Sequence, residues 1–214
     1  MTKHRQEGFN FGDGAEPSLY FFEEDLLRRG YMNVAGLDEA GRGPLAGPVV
    51  AACVVLAPGR EIPGVNDSKK LTEAARDKLC REICGSVLDW GVGVVEAEEI
   101  DRINILEATK KAMLLAIEEL REPPDYLLID AVTLKVDIPQ NPLIKGDARS
   151  ASIAAASIIA KTTRDRIMLM HDAAYPEYGF KGHKGYGAKS HMDAIRKHGP
   201  CPIHRKTFRG VLPK

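Results

Sequence analysis

Four acidic residues are the strongest candidates for chemistry in this chain. Asp38 with Glu39, then Asp130, then Asp147 each follow a short apolar stretch with the pattern of a buried strand. Ligands of open α/β sheets gather at the carboxyl ends of strands, so these acids are expected to lie together. Crowded carboxylates raise one another's pKa unless a divalent cation neutralises them, and an all-oxygen ligand set suits Mg²⁺ or Mn²⁺.

The alternative for each acid on its own is a structural role, because an Asp at the end of a strand commonly caps the next turn. Four such acids in one chain indicate a metal site more strongly than any one of them alone. Adjacent charges at Asp38 and Glu39 gain nothing from sheet packing at a strand exit, which favours a functional interpretation.

A glycine-rich segment, AGRGPLAG at 40–47, follows the first two acids. It does not fit a dinucleotide-binding fingerprint, since Pro44 and then a strand follow where a helix would have to begin. Gly41 and Gly43 on either side of Arg42 would let the backbone approach a ligand closely. A glycine-rich hairpin connection is the alternative.

The elements that must position these residues follow from hydrophobic periodicity and capping signals. Strands are predicted at 33–38, 48–56, 87–97, 126–130 and 143–145. Helices are predicted at 17–29, 72–84, 104–120, 150–171 and 190–198, the last with a Ser190–Asp193 capping box. The pattern indicates an α/β fold with a mixed central sheet flanked by helices. We expect an N-terminal segment at 1–32, poorly ordered to residue 16, a core at 33–170 and a small helical C-terminal extension at 171–214.

Composition excludes several classes of protein. The chain has 214 residues, 44% of them apolar, with 30 basic and 30 acidic side chains, which argues against a disordered tail protein, a collagen or a disulfide miniprotein. No stretch is apolar for long enough to span a membrane, and no secretory signal is apparent. The four cysteines lack metal-binding or disulfide spacing, so we expect reduced thiols in a cytoplasmic protein. A monomer is the default expectation.

The net charge of zero hides a strong asymmetry. Residues 179–214 carry nine Lys or Arg and one acid, a net charge of +8, and the preceding residues carry −8. This distribution indicates either a polyanion-binding segment or an ordinary solvated basic surface. The five histidines from 171 onward match no zinc spacing and are expected to serve packing or phosphate contact.

Several long motifs occur in an order that resembles the bacterial ribonuclease HII family, a type 2 ribonuclease H. They are GLDEAGRGPLAGPVVAA at 36–52, NDSKKLTEAARDKL at 66–79, LLID at 127–130, KGDARSASIAAASIIAKTTRD at 145–165, YGFKGHKGYGAKSH at 178–191 and GPCPIHRKTF at 199–208. The segment ARSAS at 148–152 departs from the family's usual proline-bearing sequence and leaves the acids intact.

The resemblance implies a ribonuclease H-like fold and a role for each matching residue. The family's metal-binding and catalytic acids fall on Asp38, Glu39, Asp130 and Asp147. Its motif for the ribonucleotide 2′-hydroxyl falls on Gly41, Arg42 and Gly43, and its sugar-stacking tyrosine falls on Tyr186. Phosphate contacts fall on Lys69, Ser157 and Lys161.

The implied activity is metal-dependent endonuclease cleavage of the RNA strand of RNA/DNA hybrids and of the 5′ side of ribonucleotides embedded in duplex DNA. Two Mn²⁺ or Mg²⁺ ions would serve the hydrolysis, which leaves 3′-hydroxyl and 5′-phosphate ends and suits RNA primer removal in DNA replication and ribonucleotide excision repair. The basic extension would then hold duplex phosphates. The alternatives are a non-catalytic nucleic-acid-binding module, a Mg²⁺-dependent small-molecule phosphatase and a nuclease that requires several consecutive ribonucleotides.

Overall fold

A five-stranded mixed sheet forms the centre of the molecule in the computed structural model, which describes residues 18–65 and 71–212. Its strands are β1 (Val34–Ala40), β2 (Val49–Val55), β3 (Asp89–Val95), β4 (Tyr126–Asp130) and β5 (Gln140–Leu143), in the order β3-β2-β1-β4-β5. β2 pairs antiparallel with both β1 and β3, whereas β4 runs parallel to both β1 and β5.

Seven helices surround the sheet in the described part of the chain. They are α1 (Phe21–Arg28), α2 (Glu73–Cys84), α3 (Ala97–Ile103), α4 (Ile105–Glu118), α5 (Ala151–Ala174), α6 (Phe180–His183) and α7 (Lys189–His198). Two 3₁₀ turns, Gly146–Ala148 and Pro176–Tyr178, flank α5.

Each face of the sheet has its own helix layer. Ala112, Met113 and Ala116 of α4 pack with one set of strand residues, while α5 and α2 cover the opposite face. The long helix α5 lies very close to β1, because a Cβ added at Gly36 would come within 2.3 Å of the Ser152 backbone. Glycine at this position therefore allows the strand that carries Asp38 and Glu39 to pack directly on α5.

Helix α1 closes the amino-terminal end of α5. Its Phe22 and Leu26 are buried against residues of β1, β4 and β5. Oε1 of Glu23 accepts bonds from the Ser150 hydroxyl at 2.6 Å and the Ser152 amide at 2.9 Å. A carboxylate at this position satisfies free donors and complements the positive end of the helix dipole.

Most predicted elements are confirmed, with small changes of boundary. Thr72 caps α2 by accepting from the Ala75 amide at 3.3 Å, and Asn104 caps α4 by accepting from the Leu106 amide at 2.9 Å. The short helix α3 has no counterpart in the prediction, and two predictions are wrong. The strand expected at 143–145 lies at Gln140–Leu143, because Lys145 has a left-handed φ of 56° and starts a turn. The Ser190–Asp193 box is absent, since α7 is preceded by Ala188 and has no side-chain cap.

The carboxy-terminal helices share a small apolar cluster with the loop between β1 and β2. Ala46 of that loop and Met168 of α5 are buried with Tyr178, Phe180 and Ile195. In the described residues, no helix is both long and apolar enough to cross a membrane. The division at residues 32 and 170 stays a prediction, as does disorder of residues 1–16, which lie outside the described residues.

Candidate active site

Three of the candidate acids meet at one edge of the sheet because of strand register. In the parallel pair of β1 and β4, Leu37 lies opposite Ile129, so the next residues along each strand are Asp38 and Asp130. Glu39 follows in β1. The local cause is the run of apolar residues that buries both strands and leaves their carboxyl ends at the same rim.

Asp147 is connected to this group through the backbone. The amide of Gly146 donates to Oδ1 of Asp130 at 2.6 Å, and Asp147 is the next residue in the 3₁₀ turn. This hydrogen bond connects the turn to Asp130, and the half-buried Asp147 is the next residue after the donor.

The electrostatics of the site oppose full ionisation. Burial, with the charges of Glu39 and Asp130, raises the pKa of Asp38 to about 8, although a hydrogen bond from Ser157 acts in the opposite direction. Burial also raises the pKa of Glu39, against the lowering effect of the Arg42 charge, and Asp130 raises it further. These carboxylates are close enough for each charge to disfavour the next.

The donor set fits a divalent cation. It consists of carboxylate oxygens, and the buried Oε2 of Glu39 makes no hydrogen bond within the described residues. A cation would relieve both the repulsion and this unsatisfied oxygen. Within residues 18–65 and 71–212 no three His, Cys, Asp or Glu side chains are already arranged around a metal position. Nη1 of Arg42 lies 3.2 Å from Oε1 of Glu39.

A cavity of about 440 Å³ opens beside the acids. Its lining includes Gly41, Arg42, Gly43 and Tyr186, together with Glu39. A Cβ at Gly43 would lie 3.7 Å from Cε1 of Tyr186, so the tyrosine ring faces the glycine-rich loop across this space. The structure therefore brings the two predicted recognition elements together.

Cations also line the cavity. Lys161 and Arg76 contribute to the lining together with Ser157, and Arg76 was not among the candidates from the sequence. The guanidinium of Arg164 borders the same space but has 0% exposure. Nζ of Lys161 lies 2.6 Å from Asp165, and Arg76 lies 3.5 Å from the other oxygen of the same acid. The Lys161–Asp165 ion pair could have been predicted from the sequence, because the two residues are four apart on a helix. The contact of Arg76 with Asp165 could not, because Arg76 belongs to another helix, α2. Lys69 lies outside the described residues.

The predicted phosphate-binding role of the basic extension needs correction at two positions. Arg205 is fully buried, and its guanidinium bonds to backbone carbonyls instead of facing solvent. The side chain of Lys184 is only 12% exposed and lies 3.5 Å from Glu73. The side chains that do face solvent are Lys181, Lys189, Arg196, Lys197, Lys206 and Arg209.

Histidines of the extension pack against one another. His183 stacks on His191 with ring centroids 4.4 Å apart, and Nε2 of His191 lies 3.0 Å from Nε2 of His204. Burial lowers the pKa of His204 to about 4, which keeps the ring neutral. The expected packing role is confirmed for these three residues.

The sheet order and the flanking helices define the class of the protein, which is that of the ribonuclease H-like folds.

Comparisons with known proteins agree with this class. The family model described as Ribonuclease HII matches residues 35–211. The chain is 55% identical over 195 residues to "Ribonuclease HII" of Syntrophotalea carbinolica, covering 91% of this chain and 93% of that protein. It is 57% identical over 202 residues to "Ribonuclease HII" of Geobacter metallireducens, covering 94% and 95%. The crystal structure of ribonuclease H2 from Pyrococcus horikoshii superposes with a TM-score of 0.71 at 32% identity, covering 84% of this chain and 95% of that one.

The chain belongs to the ribonuclease HII family, and it is an enzyme with ribonuclease H activity.

Proposed function

We propose that this enzyme cleaves the RNA strand of RNA/DNA hybrids and the 5′ side of ribonucleotides embedded in duplex DNA. The observation that carries the proposal is the position of Glu39, beside Asp38 and Asp130 at the strand ends, in the wall of a cavity that the glycine-rich loop, Tyr186 and several cations also line. A phosphodiester would place its charged phosphate among the cations and its reacting atoms beside the acids.

Asp38, Glu39, Asp130 and Asp147 are the proposed metal-binding and catalytic residues. Two bound divalent ions, Mn²⁺ or Mg²⁺, would favour attack by water and stabilise the leaving 3′ oxygen, giving 3′-hydroxyl and 5′-phosphate ends. The chain's own contribution is to hold the carboxylates on rigid strands. Ser157 orients Asp38 by hydrogen bonding, and the Gly146 amide orients Asp130.

Selection of a ribonucleotide requires close contact with its 2′-hydroxyl, the group that separates RNA from DNA. In our proposal the peptide groups of Gly41, Arg42 and Gly43, together with the Arg42 side chain, make that contact. Tyr186, which is 47% exposed, stacks on the sugar of the following deoxynucleotide. The small distance between Gly43 and the tyrosine ring suits recognition of two successive sugars.

Backbone phosphates would be held by Ser157 and Lys161, with Arg76 as an additional cation from α2. Lys69 retains its predicted phosphate contact as a proposal outside the described residues. The exposed lysines and arginines of the extension would hold more distant phosphates without sequence preference. Such an activity suits removal of RNA primers during DNA replication and of single ribonucleotides in excision repair, by a monomer in the cytoplasm.

The direct test uses two labelled DNA duplexes, one with a single ribonucleotide and one with four consecutive ribonucleotides. Each is incubated with Mg²⁺ or Mn²⁺, and the ends of the products are mapped. We expect cleavage of both, with a cut 5′ to the single ribonucleotide. Cleavage of the second duplex alone would identify an enzyme that requires consecutive ribonucleotides, and would contradict the proposal.

The matched variants are Asp130→Asn at the site and Asp137→Asn at an exposed acid elsewhere. The first should abolish metal-dependent cleavage, whereas the second should cut at the wild-type rate. Wild-type cleavage by Asp130→Asn would remove that acid from the proposed mechanism.

A further inference from the structure

Two arginines are completely buried beside the glycine-rich loop. Arg164 of α5 and Arg205 of the extension each have 0% exposure. In the described residues neither lies within salt-bridge distance of a carboxylate. A buried charge is costly unless hydrogen bonds compensate it, so these two residues call for an explanation.

Backbone carbonyls compensate the charge of Arg205. Nη2 donates to the Gly41 carbonyl at 2.6 Å, and Nη1 donates to the Arg42 carbonyl at 3.0 Å. Nε and Nη2 both donate to the Gly47 carbonyl, at 3.0 and 2.9 Å. One guanidinium thus holds both the beginning and the end of the loop, and its carbon lies 5.0 Å from the centre of the Phe208 ring.

Arg164 connects the same loop to the segment that carries Tyr186. Nη2 donates to the Ala46 carbonyl at 3.1 Å and Nε to the Pro48 carbonyl at 3.0 Å. Nη1 donates to the Lys184 carbonyl at 3.0 Å, two residues before Tyr186. The guanidinium carbon also lies 6.0 Å from the centre of the Tyr186 ring.

Gly41 packs against the Arg164 side chain and also lines the cavity. Its φ is +99°, and an added Cβ would lie 2.2 Å from Nε and 2.5 Å from Cδ of the arginine. The absence of a side chain at Gly41 therefore makes room for the buried guanidinium. This requirement exists in the folded protein before any substrate binds.

From these contacts we infer that Arg164 and Arg205 are positioning residues for ribonucleotide selection. The inference rests on the proposed function of the glycine-rich loop and Tyr186. The two guanidinium groups hold the loop at 41–47 and the segment at 184–186 at a fixed separation. The loop's peptide groups and the tyrosine ring then meet two successive sugars without rearrangement. Neither arginine touches substrate.

Lysine is not an adequate substitute at either position. A guanidinium presents five donors in a planar fork, whereas an ammonium is a compact group on a flexible stem. Arg205→Lys keeps the positive charge and loses the simultaneous bonds to Gly41, Arg42 and Gly47. A displacement of about 1 Å at a reacting group can lower the rate about a hundredfold, and we expect a loss of kcat of that order.

The experiment compares Arg164→Lys and Arg205→Lys with wild type on the duplex that contains one ribonucleotide. We expect kcat per folded enzyme to fall about a hundredfold, while the Kd for an uncleaved all-DNA duplex remains unchanged and the Kd for Mn²⁺ changes by no more than about fivefold, the effect of the exposed Arg42–Glu39 pair. The exposed cations of the extension and the acids on β1 and β4 are held by other contacts, which explains why those two constants should change far less than kcat.

The control for general destabilisation is Met113→Ala, a core truncation on the other face of the sheet from α5. It should lower the Tm without changing kcat of the folded enzyme. A second measurement adds methylguanidinium to Arg205→Ala, where partial recovery of kcat is expected and none in Met113→Ala.

Two results would overturn the inference. One is wild-type kcat in both lysine variants. The other is a parallel loss of kcat, duplex affinity and Mn²⁺ affinity, which would indicate a purely structural role. Failure of the wild-type enzyme to cut beside a single ribonucleotide is a different outcome, because it would contradict the proposed function itself.

Discussion

Arg42 lies across Glu39, with Nη1 of the arginine 3.2 Å from Oε1 of the acid. The glutamate side chain is 9% exposed and the arginine side chain 43% exposed, so the pair lies at the mouth of the cavity. The loop proposed to select the ribonucleotide therefore also supplies a cation to one of the proposed metal-binding acids. In the proposed function, substrate selection and metal binding therefore share this side-chain contact.

Removal of Arg42 is expected to affect these two processes in opposite directions. In Arg42→Ala a competing positive charge leaves Glu39, so Mn²⁺ should bind more tightly. The pair is partly exposed and its strength is about 0.2–1 kcal/mol, which corresponds to a change in Kd of up to about fivefold. Cleavage should nevertheless slow, because the loop loses its side chain. Titration calorimetry with Mn²⁺ measures the first effect, and Arg42→Lys, which keeps the charge, should show little of it.

Stability of the metal-free protein should fall as the pH rises from about 4 to about 8. The pKa of Asp38 in the folded protein is about 8, against an ordinary value of 3.8, so the folded state binds more protons than the unfolded chain across this window. Each pH unit can remove at most about 1.4 kcal/mol. Denaturant unfolding of wild type and Asp38→Asn at pH 5 and pH 8 tests this expectation.

The variant should show a smaller loss between the two pH values, and saturating Mg²⁺ or Mn²⁺ should reduce the loss in wild type. Asp193→Asn, at an exposed acid of α7, serves as the control and should behave as wild type. An equal pH dependence in Asp38→Asn would show that this carboxyl is not the group responsible.

The orientation of two lysines predicts different salt dependences of duplex binding. Lys197 is exposed on α7, whereas the Lys184 side chain is mostly buried against Glu73. Lys197→Gln should weaken binding and reduce the slope of log K against log salt by about 1, as expected for a single phosphate contact. Lys184→Gln should leave the slope unchanged. Fluorescence anisotropy with an all-DNA duplex measures both, and equal slopes for the two variants would contradict the assignment.

Close packing of β1 on α5 makes Gly36 sensitive to a single methyl group. A Cβ there would lie 2.3 Å from the Ser152 carbonyl carbon and 2.4 Å from the Ile153 amide nitrogen. Gly36→Ala should lower the free energy of unfolding by about 1–3 kcal/mol, as overpacked cores do, and should also lower activity by shifting Asp38. Gly182→Ala, whose added Cβ would meet nothing within 4 Å, is the control in chemical denaturation.

The sequence was sufficient to predict the central strands and the acids at their ends. The reason is physical: β1 and β4 are short apolar runs that helices on both faces of the sheet bury, and parallel pairing places Asp38 and Asp130 side by side. The edge strand β5, with sequence QNPL, was displaced in the prediction because its polar residues and Pro142 give no strand pattern. Proline is tolerated there since an edge strand has one unpaired side.

The directions of the basic side chains could not be predicted in the same way. A net charge of +8 in residues 179–214 describes how many cations are present, and not whether each faces a phosphate or a carbonyl. From the sequence, Arg205 is expected to be a surface cation, but it is buried in the structure. The backbone carbonyls that accept its hydrogen bonds belong to residues far away in the sequence, so no local pattern indicates them. The position of Arg76 at the cavity could not be predicted for the same reason, since its partner Asp165 is on another helix.

The fastening of the loop at Gly41 by Arg205 spans 164 positions of sequence. A ribosome therefore finishes the strand with Asp38 and Glu39 long before it adds the residue that secures the neighbouring loop. Loop-closure entropy opposes contacts of such long range until the distant segments have been brought together. A nascent chain that has not reached Arg205 carries the proposed metal-binding acids while the loop at Gly41 lacks this contact, so we expect ribonucleotide selection, as proposed here, to require synthesis up to that residue.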